Sequence, residues 1–351
     1  MKKVLCVLSV MLVIVALPAL ADTISPSSVT ATLAPGGSLT VNKTVTVAAG
    51  TPTTSLVDVY FLADTTGSMS SNNAAVQAAA STILAATAGL GNVDFAVGEY
   101  KDQPSTDSTS AYAYRLNTAM TNNLTAVQTG INMWGASGGG DYPEAELYGL
   151  QSLATGTATG WRTGSAKILV WMGDAPGHDP SGGATLASAE AALTTGQSSV
   201  IKTLAVNLGG LNDYGQAAAI TAATGGTLYN GISSSSIVAT ITAAITSAFS
   251  TYSTVSLDTS EAGPGVTVAF TPGSYTGTFD RSITRTFGFD VTFTGAGEGT
   301  DSFNIYATLD GGRVATESDV IDVTAVPEPG SILLLGTVLL GITAGLRRRR
   351  Q

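Results

Sequence analysis

From about Leu56 to Ser250, short apolar runs alternate with alanine-rich stretches of helical period, and few folds accommodate that alternation. Strands are expected near Val57 to Ala63, Asp94 to Gly98, Ala111 to Leu116, Ile168 to Met172, Val200 to Asn207 and Thr227 to Tyr229. Between them Val76, Ala80, Ile83 and Leu84 share one helical face, and Ile237, Ile241 and Ile245 another. Nearly continuous apolar strands separated by helices predict an α/β unit, a doubly wound and mainly parallel sheet covered on both sides.

The flanks have a different texture. Residues 29–47 alternate with period two around Pro35-Gly36-Gly37 and read as paired strands. FGFDVTF at 287–293 and FNIYATL at 303–309 alternate in the same way, and Asp310-Gly311-Gly312 carries a turn signal. The N-terminal β segment is too small to bury a core alone. Residues 22–55 are therefore expected to pair with 251–325 in one β-sandwich, with the α/β unit of 56–250 inserted into it.

Both ends read as targeting segments. Lys2 and Lys3 precede an apolar run that ends in Ala19-Leu20-Ala21, so 1–21 is expected to be a signal peptide. Cys6, the one cysteine, lies in that leader, which leaves the exported chain without a disulfide. Residues 326–351 contain Pro327-Glu328-Pro329, an apolar stretch from Ile332 to Leu346, and Arg347 to Arg350. The apolar stretch is short for a spanning helix of roughly 20 residues, yet the arginine block fits a cytoplasmic end. This order resembles the PEP-CTERM sorting tail of Gram-negative bacteria. The resemblance implies an inner-membrane intermediate, an exosortase-type processing enzyme, and a final place at the cell surface, outer envelope or extracellular matrix.

The net charge of -10 excludes a surface built to neutralise nucleic-acid phosphates. Removing both ends takes Lys2, Lys3 and Arg347 to Arg350 but only Glu328 among the acids, so the exported body is more acidic still.

The first strand of the α/β unit runs VDVYFLADTTGSM, ending in Asp64, Thr66 and Ser68. Ligands in open α/β sheets bind outside the carboxyl ends of the strands. Alternating oxygen donors on such a turn can converge on one hard cation, but one carboxylate and two hydroxyls are an incomplete shell. Asp174, ending ILVWMGD, and Glu144, in GGGDYPE, stand at comparable loop positions and could complete it. Converging carboxylates without a cation would raise one another's pKa. The plainer alternative is that Asp64 caps the helix starting near Ser68.

DTTGSM, GGGDYPE and GDAPGH, in that order, resemble a von Willebrand factor type A domain with a metal-ion-dependent adhesion site, a Rossmann-like fold. DYPE is similar to the corresponding segment of integrin beta subunits. The resemblance implies Asp64, Thr66, Ser68, Glu144 and Asp174 as metal ligands and Mg²⁺ as the ion, with Mn²⁺ or Ca²⁺ as alternatives. It further implies an exported adhesion or ligand-binding protein that captures a carboxylate of a protein or polysaccharide partner through the cation. VGEYKDQP at 97–104 resembles the segment that supplies a second, synergistic ion site, implying Asp102 and Asp141 together with Glu144. Read without the resemblance, Asp102 caps a turn and Asp141 caps a helix beginning at Pro143. Ser71, Asn72 and Asn73 occupy the turn where integrin beta subunits carry acids for a further ion, and none is expected there.

His178, the one histidine, is expected to pack or hydrogen-bond in its loop. HExxH and a phosphate-cradling lysine loop are both missing, so the chain is not expected to be an enzyme. Two other readings are a matrix or biofilm component whose ion braces the domain, and a metal-dependent hydrolase using Asp64, Glu144 and Asp174.

Overall fold

The computed structural model describes residues 21–50, 56–197 and 199–325. Most of the expected leader and the apolar stretch from Ile332 to Leu346 lie outside the described residues. Among the described residues no helix is long and apolar enough to cross a membrane.

In chain order the first strands are β1 (Thr23–Ser25), β2 (Thr30–Leu33) and β3 (Ser38–Val47). The inserted unit then runs β4 (Leu56–Asp64), α1 (Ser70–Ala88), β5 (Asn92–Tyr100), β6 (Tyr114–Thr121), α2 (Leu124–Ile131) and α3 (Glu146–Thr155). It continues with β7 (Ala166–Gly173), α4 (Leu186–Thr195), β8 (Ile201–Asn207), α5 (Gln216–Ala223), β9 (Thr227–Tyr229) and α6 (Ile237–Ser250). The chain closes with β10 (Thr251–Asp258), β11 (Val266–Thr271), β12 (Tyr275–Asp280), β13 (Arg285–Gly295), β14 (Gly299–Leu309) and β15 (Gly312–Val323).

The inserted sheet has the order β6-β5-β4-β7-β8-β9, parallel except for the edge strand β6. This is a doubly wound order, with the first strand at the centre and the chain folding outward in both directions. Strand alternation sorts its core into two layers. Val57, Val59, Phe61 and Ala63 pack against α1, α2 and α6, whereas Tyr60 and Leu62 face α3, α4 and α5. Both faces are covered, which is why β4 is apolar at nearly every position.

The flanking strands form a two-sheet sandwich. One sheet has the order β1-β3-β13-β11 and the other β12-β10-β14-β15-β2, with Phe289, Phe293, Ile305 and Val45 between them. β14 and β15 form a hairpin through Asp310 and Gly311, whose φ values of 48° and 82° suit the turn read there. The sandwich abuts the amino ends of the central strands. Arg313 N donates to Gly164 O at 2.7 Å before β7, and Lys202 pairs with Asp310 at 3.3 Å. The carboxyl ends of β4 and β7 thus lie on the opposite side of the sheet from the sandwich.

Three local readings need correction. β2 and β3 do not pair with each other: β2 runs parallel to β15, and β3 lies between β1 and β13 in the other sheet. Each finds a longer partner in the C-terminal segment, so the Pro35-Gly36-Gly37 turn crosses between sheets. The edge strand β6 begins at Tyr114 rather than Ala111, because residues 101–113 are folded into turns at the site face. Finally, α3 begins at Glu146 rather than Pro143, with no side-chain cap from Asp141. The backbone of Glu144 is engaged elsewhere, accepting from His178 N at 2.9 Å and donating to Pro176 O at 2.8 Å.

Candidate functional site

β4 delivers Asp64 to the carboxyl edge of the sheet, where the chain turns through Gly67 into α1. Asp64 Oδ1 accepts from Thr66 N at 2.8 Å and from Thr66 Oγ1 at 2.7 Å, and Asn73 Nδ2 of α1 donates to Asp64 O at 2.8 Å. The other oxygen, Oδ2, is buried with no hydrogen-bond partner among the described residues. Asp64 therefore turns its own loop rather than capping the helix, since neither the short turn at Gly67–Met69 nor α1 has a side-chain cap, while one oxygen stays uncommitted.

The hydroxyls link the carboxylates. Thr66 Oγ1 lies 3.4 Å from Ser68 Oγ, which donates to Asp174 Oδ1 at 3.0 Å. Thr66 also hydrogen-bonds Glu144, whose Oε2 is again buried with no partner among the described residues. All five residues read from the sequence thus occupy one continuous patch, with the two hydroxyls standing between the acids.

The electrostatics are those of a crowded acid cluster. Burial, with Asp174 nearby, lifts Asp64 to about 7 against the opposing bonds from Thr66. Glu144 is lifted to about 9, chiefly by burial and then by Asp64, Asp102 and Asp141. Burial raises Asp174 as well. Three acids held toward protonation around unpartnered oxygens fit a bound divalent cation, which would offset both the desolvation and the mutual repulsion.

Around this patch stand residues that the sequence reading missed. Lys101 is buried, its Nζ donating to Thr65 O, to Gly135 O at 2.9 Å and to Ser137 O at 2.6 Å, which fastens the glycine loop to the end of β5. Asp107 accepts from Ser110 Oγ at 2.6 Å, from Thr109 Oγ1 at 2.7 Å and from Gly139 N at 3.1 Å. The Ser110 and Thr109 donors hold its carboxyl well below the usual range. Gly139, at φ +81°, passes so close that a Cβ there would lie 2.7 Å from Glu144 Oε1 and 2.8 Å from Thr66 Cβ. Glu146 is fully buried against Gly177, and burial raises it well above the carboxylate range. The available signal was an acid two residues past Glu144 in PEAEL.

The second group departs from the expected set. Asp102, Asp141 and His178 bring one ligand atom each within 4.8 Å of one another, so His178 stands beside the two aspartates. His178 Nε2 lies 3.3 Å from Asp141 Oδ2 and 3.6 Å from Asp102 Oδ1. Asp102 accepts from Gln103 N at 2.6 Å through Oδ1, and its Oδ2 is buried without a partner among the described residues.

Residues 325–350 match the PEP-CTERM protein-sorting motif. The chain is thus exported, with a membrane-anchored sorting tail of the kind an exosortase-type enzyme processes. No curated protein sequence matches it significantly. Similar solved structures include a von Willebrand factor type A protein from Catenulispora acidiphila, 13% identical over 87% of this chain and 75% of that one, with a TM-score of 0.47. The pilus adhesin SpaC from Lactobacillus rhamnosus GG, in an open conformation, is 13% identical over 82% of this chain and 45% of its own, with a TM-score of 0.42. Proximal thread matrix protein 1 from the mussel byssus is 12% identical over 59% and 48% of the two chains, with a TM-score of 0.41. Identities this low transfer no residue role.

Proposed function

We propose that the protein is an exported adhesion-type binder that captures a carboxylate of its partner through a divalent cation, Mg²⁺ or Mn²⁺, held by Asp64, Thr66, Ser68, Glu144 and Asp174. The observation that carries the reading is the pair of buried, unpartnered oxygens, Asp64 Oδ2 and Glu144 Oε2, beside the hydroxyl chain that leads to Asp174. The cation would supply attraction for an anionic oxygen on a face that otherwise repels anions. A hard octahedral ion with five side-chain donors keeps a position open for that oxygen. The role of this chain is to hold the donors in place: Asn73 and Lys101 fix the strand ends, and Asp107 fixes the glycine loop behind Glu144.

A second ion at Asp102 and Asp141 belongs to the same reading, with His178 as a nitrogen donor that favours Mn²⁺ over Mg²⁺. The activity is binding rather than catalysis, and the partner is a protein or polysaccharide that presents an acidic group.

Calorimetric titration with Mg²⁺ and Mn²⁺ tests the site. The native protein should bind, and Asp64→Ala should lose the high-affinity event while keeping its helix content. An unchanged isotherm in the variant would sink the assignment. Capture of envelope or matrix components that is lost in chelator and restored by Mg²⁺ tests the partner.

A further inference from the structure

Alternation along β3 places Leu39, Val41, Lys43, Val45 and Val47 in one inward row, so a lysine sits where the pattern calls for an apolar residue. On β15 the same alternation turns Glu317, Asp319, Ile321 and Val323 inward. The two strands belong to opposite sheets, and their charged residues meet in the middle of the sandwich core. Lys43 Nζ contacts Glu317 Oε1, with both side chains at 0% exposure. Phe289 stands opposite Lys43 in register, and the Phe293 ring centroid lies 5.4 Å from Nζ. Phe303 and Ile305 stand opposite Asp319 and Glu317.

As an ion pair this arrangement is poorly satisfied. An ammonium has three donors, and Glu317 Oε1 is the one acceptor it finds among the described residues. Glu317 Oε2 and Asp319 Oδ2 are buried with no hydrogen-bond partner assigned among the described residues, while Asp319 Oδ1 accepts from Val29 N at 2.7 Å. Two carboxylates against one ammonium leave excess charge in a dry core, where even balanced pairs are costly. Burial, reinforced by Asp319, raises Glu317 to about 7, which favours the carboxylic acid.

We propose that Lys43 and Glu317 condense to a side-chain amide that joins β3 to β15 covalently, with Asp319 as the proton carrier. The starting ammonium gives one proton to the Glu317 carboxylate, leaving a neutral amine facing a carboxylic acid. The amine attacks Glu317 Cδ, forming the Nζ–Cδ bond. Asp319 takes the second proton from nitrogen and delivers it to the departing hydroxyl. The Cδ–O bond breaks and one water leaves. No oxidant or activating group is needed, because the core holds the reactants in contact and excludes the water that would reverse the step. The product has a single N–H donor in place of three and carries no charge. The bond spans the insertion: it ties the N-terminal segment to the last strand before the sorting tail, so tension entering at β15 passes into β3 without crossing the α/β unit.

The test is mass spectrometry of the full exported chain purified from producing cells, with its termini mapped. Its mass should be lower by one water than the sequence between those termini. Tryptic digestion should give no cleavage after Lys43 and a branched peptide whose second arm begins at Val314. Glu317→Ala should restore the full mass, which separates the link from dehydration elsewhere, and Asp319→Asn should leave most of the chain unlinked. A native protein of full mass that yields an ordinary peptide ending at Lys43 would overturn the proposal in favour of a plain ion pair. A fully linked Asp319→Asn protein would remove Asp319 from the reaction.

Discussion

Ser68 Oγ donates to Asp174 Oδ1 at 3.0 Å, joining the turn after β4 to the turn after β7 at the middle of the inserted sheet. The two residues are far apart in sequence and adjacent in space because β4 and β7 are parallel neighbours. The doubly wound order makes such strand ends converge. Replacing Ser68 with Ala removes one proposed ion donor and frees Asp174 from its tether. Mg²⁺ affinity should fall tenfold or more, equivalent to about 1.4 kcal/mol. Titration calorimetry reads this, with circular dichroism checking that the fold persists.

Gly139 gives a sharper probe of Glu144. An alanine there would push on Glu144 Oε1 and Thr66 Cβ at a φ that already disfavours a side chain. Gly139→Ala should cost about 1–3 kcal/mol of stability through the backbone and also weaken ion binding. Gly183→Ala is the matched control, since its φ is +90° and no atom lies within 4 Å of the added Cβ. Equal ion affinity in the two variants would show that backbone strain alone, and no displacement of Glu144, is at work.

The parts of the site written as short-range pattern were legible in the sequence. Asp64, Thr66 and Ser68 follow an unmistakable buried strand, and Asp174 ends another, so both could be placed at the same sheet edge. Lys101, Asp107 and Glu146 were not legible as site residues, because their roles depend on partners in other loops, such as Gly135 and Gly139. The start of α3 was misread because Pro143 is a good first helical residue, while the competing bridge between Glu144 and Gly177 is non-local. Likewise β2 and β3 looked like a hairpin because turn residues separate them. Their true neighbours, β15 and β13, lie beyond the insertion. Lys43, Glu317 and Asp319 sit in phase with apolar residues, a signal the sequence carried and the reading did not use.

The raised acids make stability depend on pH with a definite sign. In cation-free protein Asp64 and Glu144 hold their protons up to about 7 and about 9, whereas in the unfolded chain both ionise near the ordinary carboxylate values of 3.8 and 4.5. Between about pH 4 and 9 the folded state thus binds more protons, and its stability falls as pH rises. A bound cation expels those protons and should remove the loss. Denaturant melts at pH 5 and pH 9, with chelator and with Mg²⁺, should show stabilisation by Mg²⁺ that is larger at pH 9. Equal stabilisation at the two pH values would contradict the shared site.

The sandwich depends on its N-terminal strands. β3 pairs with β13 from Val47 opposite Arg285 to Ser38 opposite Thr294, and β2 covers the free edge of β15. Deleting residues 22–50 should expose both edges and drive aggregation. A fragment of 56–250, which carries both core layers of the inserted sheet, should remain soluble and monomeric. Light scattering of the two proteins checks this, and a monomeric, cooperatively unfolding 251–325 fragment would refute the dependence.

The sorting tail sets the last expectation. The match at residues 325–350 begins two residues beyond β15, so cleavage near Pro327 would cost the sandwich none of its strands. The released body would keep the proposed ion site, which lies at the far end of the inserted unit from the sandwich. Terminal mapping of the mature protein should therefore end near the Pro-Glu-Pro turn, and a strain lacking the exosortase-type enzyme should hold the full chain in its membrane fraction. Arg347 to Arg350 still attached to protein recovered from the cell surface would instead indicate permanent anchoring. In that event the proposed ion site would act only within reach of the membrane.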